Sequence, residues 1–269
     1  MAPFRGLNRR MAENGHLLNG YCAIPDAFSA ELYARQGFDV ITLDLQHGLI
    51  GYDAAVAMLQ AITAVDVLPL VRIPWLDPAI IMKALDAGAL GVTCPMVNTA
   101  ADAERLVQYC KYPPMGQRSL GPVRAATAYG EDYAAHANRE LSVIAMIETA
   151  EAVANIESIL DVPGLDGVYI GPGDLSLSLN RKPQLEEFDT EVDAAIDRVL
   201  KGCIKKGLIA GIFAPGPEQA WRMVTRGFRF VTLSTDARAL AFQAKSWVEK
   251  FRLLSREPSR VTGASGLKG

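Results

Sequence analysis

The sequence predicts a single-domain α/β fold of the (β/α)8 (TIM) barrel class, and three observations lead there. Short apolar runs alternate with longer segments of helical period along nearly the whole chain. Most of these runs are continuous rather than alternating, as expected of parallel strands buried on both faces. The length of 269 residues is that of a typical barrel of eight such units.

In chain order, the first strand is read at 20–24 (GYCAI) and a helix at 27–36. A strand at 40–44 (VITLD) leads to a helix at 53–64, and a strand at 67–71 (VLPLV) to a helix at 78–87. There Asp77-Pro78 reads as an N-cap followed by proline in the first turn, and Gly88 marks the stop. The run 91–95 (GVTCP) precedes a helix at 100–111. The segment 112–140 is long for a connection and is read as a functional insertion folded over the barrel mouth. Then come a strand at 143–147 (VIAMI), a helix at 150–160, a strand at 167–170 (GVYI) and a helix at 190–206, with Gly207 as its stop. The strand 209–213 (IAGIF), the helix 217–226, the strand 230–233 (FVTL) and the helix 236–254 complete about eight strands and eight helices. A doubly wound open sheet is the alternative. It calls for a glycine-rich first turn, and Pro25-Asp26-Ala27 holds no G-x-G-x-x-G. Residues 1–256 are thus assigned to the barrel, with the insertion at about 112–140, and 257–269 to a flexible tail.

Composition narrows the function. Half the residues are hydrophobic and the formal charge is −3, which argues against an electrostatic nucleic-acid binder. The four cysteines, Cys22, Cys94, Cys110 and Cys203, are scattered without a C-x-x-C pair, so neither a zinc site nor a disulfide framework is indicated. No apolar run is long enough to span a bilayer, and residues 1–19 lack the apolar core of a secretory signal. The expectation is a cytoplasmic protein with no membrane or nucleic-acid partner.

In such barrels the chemistry sits at the C-terminal ends of the strands. Asp44 ends the second strand, with Gln46 and His47 just beyond; Arg72 follows the third, Glu148 the fifth, and Asp174 lies in the GPGD turn after the sixth. An ionised carboxylate after VIAMI needs a counter-charge. Glu148 and Asp174 therefore read as a metal pair, all-oxygen and suited to Mg2+, Mn2+ or Co2+ before Zn2+. The alternative is that each carboxylate merely caps the following helix. The glycines of GPGD let backbone N–H groups approach a carboxylate. Arg72 offers a fork for an oxyanion, with a structural salt bridge as its alternative. His47 is one of three histidines; at a strand end, held by a carboxylate, it suits a general base. His16 and His136 are read as surface residues. No lysine ends a strand, and Lys182 is the one remaining Schiff-base candidate.

At these residues the sequence resembles the HpcH/HpaI aldolase family, class II pyruvate-dependent aldolases. The resemblance runs over about 20–254 and is carried by DLQHG (44–48), VRIP (71–74), KALDAGALGVTCPMVNT (83–99), YPPMGQRSLGP (112–122), IET (147–149) and GLDGVYIGPGDLSLSL (164–179). It is closest to the branch acting on pyruvate or hydroxypyruvate. The resemblance implies reversible aldol cleavage of a 2-oxo acid and an aldehyde, with a divalent cation on Glu148 and Asp174. The amides of Gly173 and Asp174 would take the donor carboxylate and Arg72 would face the keto oxygen. His47 would act as base directly or through a water, oriented by Asp44 and by Asp86, the latter from a neighbouring subunit. It also implies a hexamer in which the last helix is exchanged between subunits. Met146 departs from the family's usual glutamine at that position, which bears on the choice of donor. Three other readings stand beside this one. A lyase of CoA esters would need a basic patch for the CoA phosphates, and none is evident. A phosphoenolpyruvate-type mutase would need a cysteine in a catalytic loop. The third is a 2-oxo-acid-binding protein without catalysis.

Overall fold

In the computed structural model, which describes residues 4–255, eight parallel strands close into a barrel in sequence order. They are β1 (Leu17–Cys22), β2 (Val40–Asp44), β3 (Leu68–Arg72), β4 (Gly91–Cys94), β5 (Ser142–Ile147), β6 (Gly167–Ile170), β7 (Ile209–Ala214) and β8 (Phe230–Thr235). The helices are α1 (Leu7–Asn14), α2 (Ala27–Ala34), α3 (Tyr52–Ile62), α4 (Pro78–Asp86), α5 (Ala100–Cys110), α6 (Val123–Tyr129), α7 (Tyr133–Glu140), α8 (Ala150–Ala154), α9 (Ile156–Leu160), α10 (Pro172–Ser178), α11 (Thr190–Lys206), α12 (Pro217–Arg226) and α13 (Asp236–Leu254). Every residue of β2, β4, β5 and β6 is buried, the burial that continuous apolar runs signal. The four cysteines are buried free thiols. The proposed tail, 257–269, lies outside the described residues.

Capping chemistry sets several helix starts. Asp77 Oδ1 accepts from Ala79 N at 2.8 Å with Pro78 in the first turn, and Thr99 and Asp102 form a reciprocal capping box on α5. Gly207, with φ of 69° and ψ of 20°, ends α11 in the left-handed conformation, which glycine adopts without Cβ strain.

Three expectations need correction, and one helix lies where no element was expected. The first strand begins three residues earlier than residue 20, at Leu17, because Asn19, polar enough to read as a loop, is an interior residue. It donates to Thr232 Oγ1 at 2.8 Å and accepts from Thr42 Oγ1 at 2.9 Å. The segment before it holds α1, which buries only Leu7 and Met11, too few apolar positions to give a helical signature. The helix expected at 150–160 is broken at Asn155 into α8 and α9.

The insertion, finally, does not cover the mouth. It contains α6 and α7, and its contacts are with the opposite end: Arg124 Nη1 donates to Ala87 O at 2.7 Å and Tyr129 OH to Gly88 O at 2.8 Å. Glu140 Oε2 accepts from Gly6 N at 3.1 Å beside α1. Topology explains this: a segment joining the end of a helix to the start of the next strand emerges on the N-terminal face of the barrel.

Candidate active site

Parity along the strands decides which side chains meet inside the barrel, since alternate residues face opposite sides. Tyr21, Asp44, Arg72, Met146, Tyr169 and Phe213 all line one cavity at the C-terminal ends of the strands, together with His47, Gly171, Pro172, Gly173, Asp174, Leu185, Thr235 and Arg238. Its volume is ≈360 Å3, room for a small ligand. Beneath it lies a polar layer in which Tyr169 OH donates to Thr232 Oγ1 at 2.7 Å. Strand ends thus bring together Asp44, His47, Arg72, Gly173 and Asp174, as the sequence reading expected. Tyr21, Tyr169, Phe213, Thr235 and Arg238 were not anticipated. Their signal is weak in one dimension: four are aromatic or polar residues at interior parity, in strands where the parity could not be fixed beforehand, and Arg238 lies in the first turn of α13.

Asp44 and Arg72 are cross-strand neighbours in the β2–β3 register. The carboxylate takes the guanidinium in a two-point clamp, Nε to Oδ1 at 2.8 Å and Nη2 to Oδ2 at 2.6 Å. Burial opposes the Arg72 charge, but the Tyr21 phenol and the Asp44 carboxylate outweigh it and hold the guanidinium above its ordinary pKa. Nη1 makes no hydrogen bond among the described residues and remains free toward a ligand. The salt bridge and the oxyanion fork are therefore compatible: one edge is anchored and the other is available.

Asp44 does not hold the imidazole of His47, contrary to expectation. Besides Arg72, its Oδ1 accepts from the backbone N–H groups of Gln46 at 3.1 Å and His47 at 3.2 Å. It shapes the turn carrying the histidine while the ring itself stays exposed. Gly48 permits that turn, since a Cβ there would lie 2.2 Å from Asp44 O. Asp86 does not join the cavity of its own chain either. It is the last residue of α4, at the opposite end of the barrel, paired with Arg118 Nη2 at 2.6 Å. His16 is exposed, His136 pairs with Asp132 at 3.0 Å, and no lysine, Lys182 included, lines the cavity.

Glu148 is 2% exposed, and it does not cap a helix. Thr149 caps α8, accepting from Ala152 N, whereas Glu148 Oε1 accepts from Met96 N at 2.8 Å. On balance its carboxyl is raised to about 7: burial and the nearby charge of Asp174 push it up, while the Met96 N–H and the Arg72 guanidinium pull it down. Gly171 leaves space for the other oxygen, since a Cβ there would stand 2.7 Å from Oε2. Asp174 is exposed in the first turn of α10, whose N-cap is Gly171 with no side-chain cap. A buried carboxylate within electrostatic reach of a second carboxylate is a donor set that fits a hard divalent cation. Among the described residues no third His, Cys, Asp or Glu joins the pair, so further ligands would come from substrate and water. The first hydrogen bond of α10 runs from Leu175 N to Gly171 O at 3.0 Å, leaving the Gly173 and Asp174 N–H groups ahead of it open to an anion.

Known proteins resemble this chain in sequence and in fold. The sequence pattern of the HpcH/HpaI aldolase/citrate lyase family matches residues 21–241. A hydroxypyruvate/pyruvate aldolase from Rhizorhabdus wittichii is 40% identical over 237 residues, 88% of this chain and 94% of that protein. A 4-hydroxy-2-oxo-heptane-1,7-dioate aldolase from Salmonella newport is 35% identical over 252 residues, 92% of this chain and 93% of that protein. The crystal structure of a HpcH/HpaI aldolase/citrate lyase family protein from Burkholderia cenocepacia J2315 aligns with a TM-score of 0.83 at 29% identity, over 88% of this chain and 95% of that one.

Proposed function

The chain belongs to the HpcH/HpaI aldolase/citrate lyase family, and from that premise we propose that it is a divalent-metal-dependent enzyme joining pyruvate or hydroxypyruvate to an aldehyde. It is a carbon–carbon lyase of the class II aldolase type. The observation that supports the donor and metal assignment is the buried Glu148 carboxylate near Asp174, packed against Gly171 at the edge of a cavity that also holds a free guanidinium edge and two open amides. Mg2+, Mn2+ or Co2+ suits two carboxylates, and Lewis-acid polarisation of the donor carbonyl is the chemistry such an ion supplies when bound by Glu148 and Asp174.

The protein's own groups account for the remaining steps. The donor carboxylate accepts from Gly173 N–H and Asp174 N–H. Arg72 Nη1 donates to the keto oxygen and strengthens its hold as negative charge develops there. His47 removes a C3 proton, and the enolate carbon attacks the aldehyde. Asp44 is a positioning residue, fixing the Arg72 plane and the His47 turn. Asp86, remote from the cavity of its own chain, would orient His47 from a neighbouring subunit. Removing metal tests the reading directly. A chelator should abolish aldol cleavage, and Mg2+, Mn2+ or Co2+ should each restore it. Full activity in exhaustively chelated protein, or borohydride trapping of pyruvate on Lys182, would overturn it.

A homo-oligomer, hexameric by the family likeness, accompanies this reading. Along α13 only Asp236 is buried, while Leu240, Phe242, Trp247, Val248, Phe251 and Leu254 stay exposed. Phe28 and Leu32 are also exposed, on α2 beside β1. An apolar helix that does not cover its own barrel, near an apolar face without a cover, fits exchange between copies. Light scattering should give six times the 29.0 kDa chain mass; a monomer alone would reject the exchange. No helix among the described residues is long and apolar enough to cross a membrane, and a cytoplasmic enzyme acting on small molecules, without nucleic-acid partners, is the accompanying proposal.

A further inference from the structure

We propose that Arg238 selects the acceptor, binding an anionic group, carboxylate or phosphate, at the far end of the aldehyde; the inference rests on the aldolase reading. Arg238 lines the catalytic cavity next to Thr235, Phe213 and Leu185. It also borders a shallow groove just outside, with Leu185 and Pro215. Arg238 is solvent-exposed and borders both, so it sits between the cavity and the outside, on the side from which a second substrate would reach the donor.

Its surroundings leave it uncommitted. Of the two arginines of the cavity, Arg72 is clamped by Asp44. Arg238 makes no ion pair or side-chain hydrogen bond among the described residues; its backbone N–H donates to Thr235 Oγ1 at 3.2 Å. Glu186 and Glu187 border the outer groove, but neither is paired with it, and both are exposed to screening solvent.

Local structure does not account for the charge. Arg238 lies in the first turn of α13, whose N-cap is Thr235, where the helix dipole disfavours a cation. An arginine that weakens its own helix start, faces a cavity and lacks a partner is suited to an anion from outside the chain, with the dipole adding to the attraction. The apolar surfaces of Leu185 and Phe213 would flank the short carbon chain between the reacting aldehyde and that anion.

The test measures kcat/KM with saturating pyruvate for two matched pairs: succinic semialdehyde against butanal, and glyceraldehyde 3-phosphate against glyceraldehyde. The pairs distinguish carboxylate from phosphate. Arg238→Gln should lower the anionic-to-neutral ratio in at least one pair by about 10- to 100-fold, the weight of a charge-assisted hydrogen bond, chiefly through KM. Arg238→Lys should recover part of it, and added salt should lower the ratio in the parent but not in the glutamine variant. Unchanged ratios in both pairs would overturn the inference. Two further measurements separate it from the aldolase reading. Exchange of pyruvate C3 protons with deuterated water in the parent reports on that reading alone. Calorimetric binding of succinate reports on Arg238 whether or not turnover occurs, and equal succinate affinity in parent and Arg238→Gln would count against the inference.

Discussion

Glu148→Gln is expected to lower aldol turnover by about 10^3-fold or more while making the metal-free protein more stable at alkaline pH. The first effect follows from losing one of two carboxylates around the cation, since charge stabilisation by a bound metal contributes several kcal/mol and each ~1.4 kcal/mol is tenfold in rate. The second follows from burial. The Glu148 carboxyl is raised from its ordinary 4.5 to about 7, so the folded protein favours its neutral form. A group raised in this way contributes its stability below pH 4.5, the unfolded value, and loses it as pH climbs through 7. Glutamine has nothing to ionise. At pH 8 and without metal the variant should exceed the parent by up to about 3 kcal/mol, and the difference should vanish in acid. Added Mn2+ should then stabilise the parent and leave the variant unchanged. Denaturant unfolding across pH, with and without Mn2+, reads both outcomes. A variant that binds Mn2+ as tightly as the parent would remove Glu148 from the metal site.

Changes at His47 and Arg72 should divide the reaction into proton transfer and oxyanion stabilisation. His47→Ala should lose about 10^2- to 10^4-fold in kcat and slow exchange of pyruvate C3 protons equally, with donor affinity little changed. Oxaloacetate decarboxylation needs the enolate but no proton removal at C3, so the same variant should keep much of it. Arg72→Ala should impair exchange and decarboxylation alike. The structure adds a complication to that second variant: Asp44, 3% exposed, would be left as an unpaired buried carboxylate, at a typical cost of about 3–5 kcal/mol. The double change Asp44→Asn with Arg72→Ala, together with Arg72→Lys, separates lost chemistry from lost stability. Parental exchange in His47→Ala would move the base to another residue. Decarboxylation in the double variant at the rate of Asp44→Asn would show that Arg72 does not hold the enolate.

The barrel and the main residues of its site were legible in the sequence because both rest on local signals. Continuous apolar runs mark buried parallel strands, and the residue following each run falls on the catalytic face. That singled out Asp44, Arg72 and Glu148, with His47 and the GPGD turn close behind, before any contact was known. What the local pattern does not carry is which strand residues lie side by side. Asp44 and Arg72, 28 positions apart in the chain, meet because the β2–β3 register aligns them. That register gives Asp44 to the arginine, although its nearness in sequence suggested His47. Parity of the same kind turned Tyr21 and Tyr169 inward, and the N-terminal exit of α5 carried the insertion away from the mouth. The apolar residues of α13 were equally visible in sequence, yet only the fold shows that they lie off their own barrel. A residue's own strand or helix follows from its neighbours along the chain, whereas its partner follows from register and packing, which depend on the whole closed barrel at once.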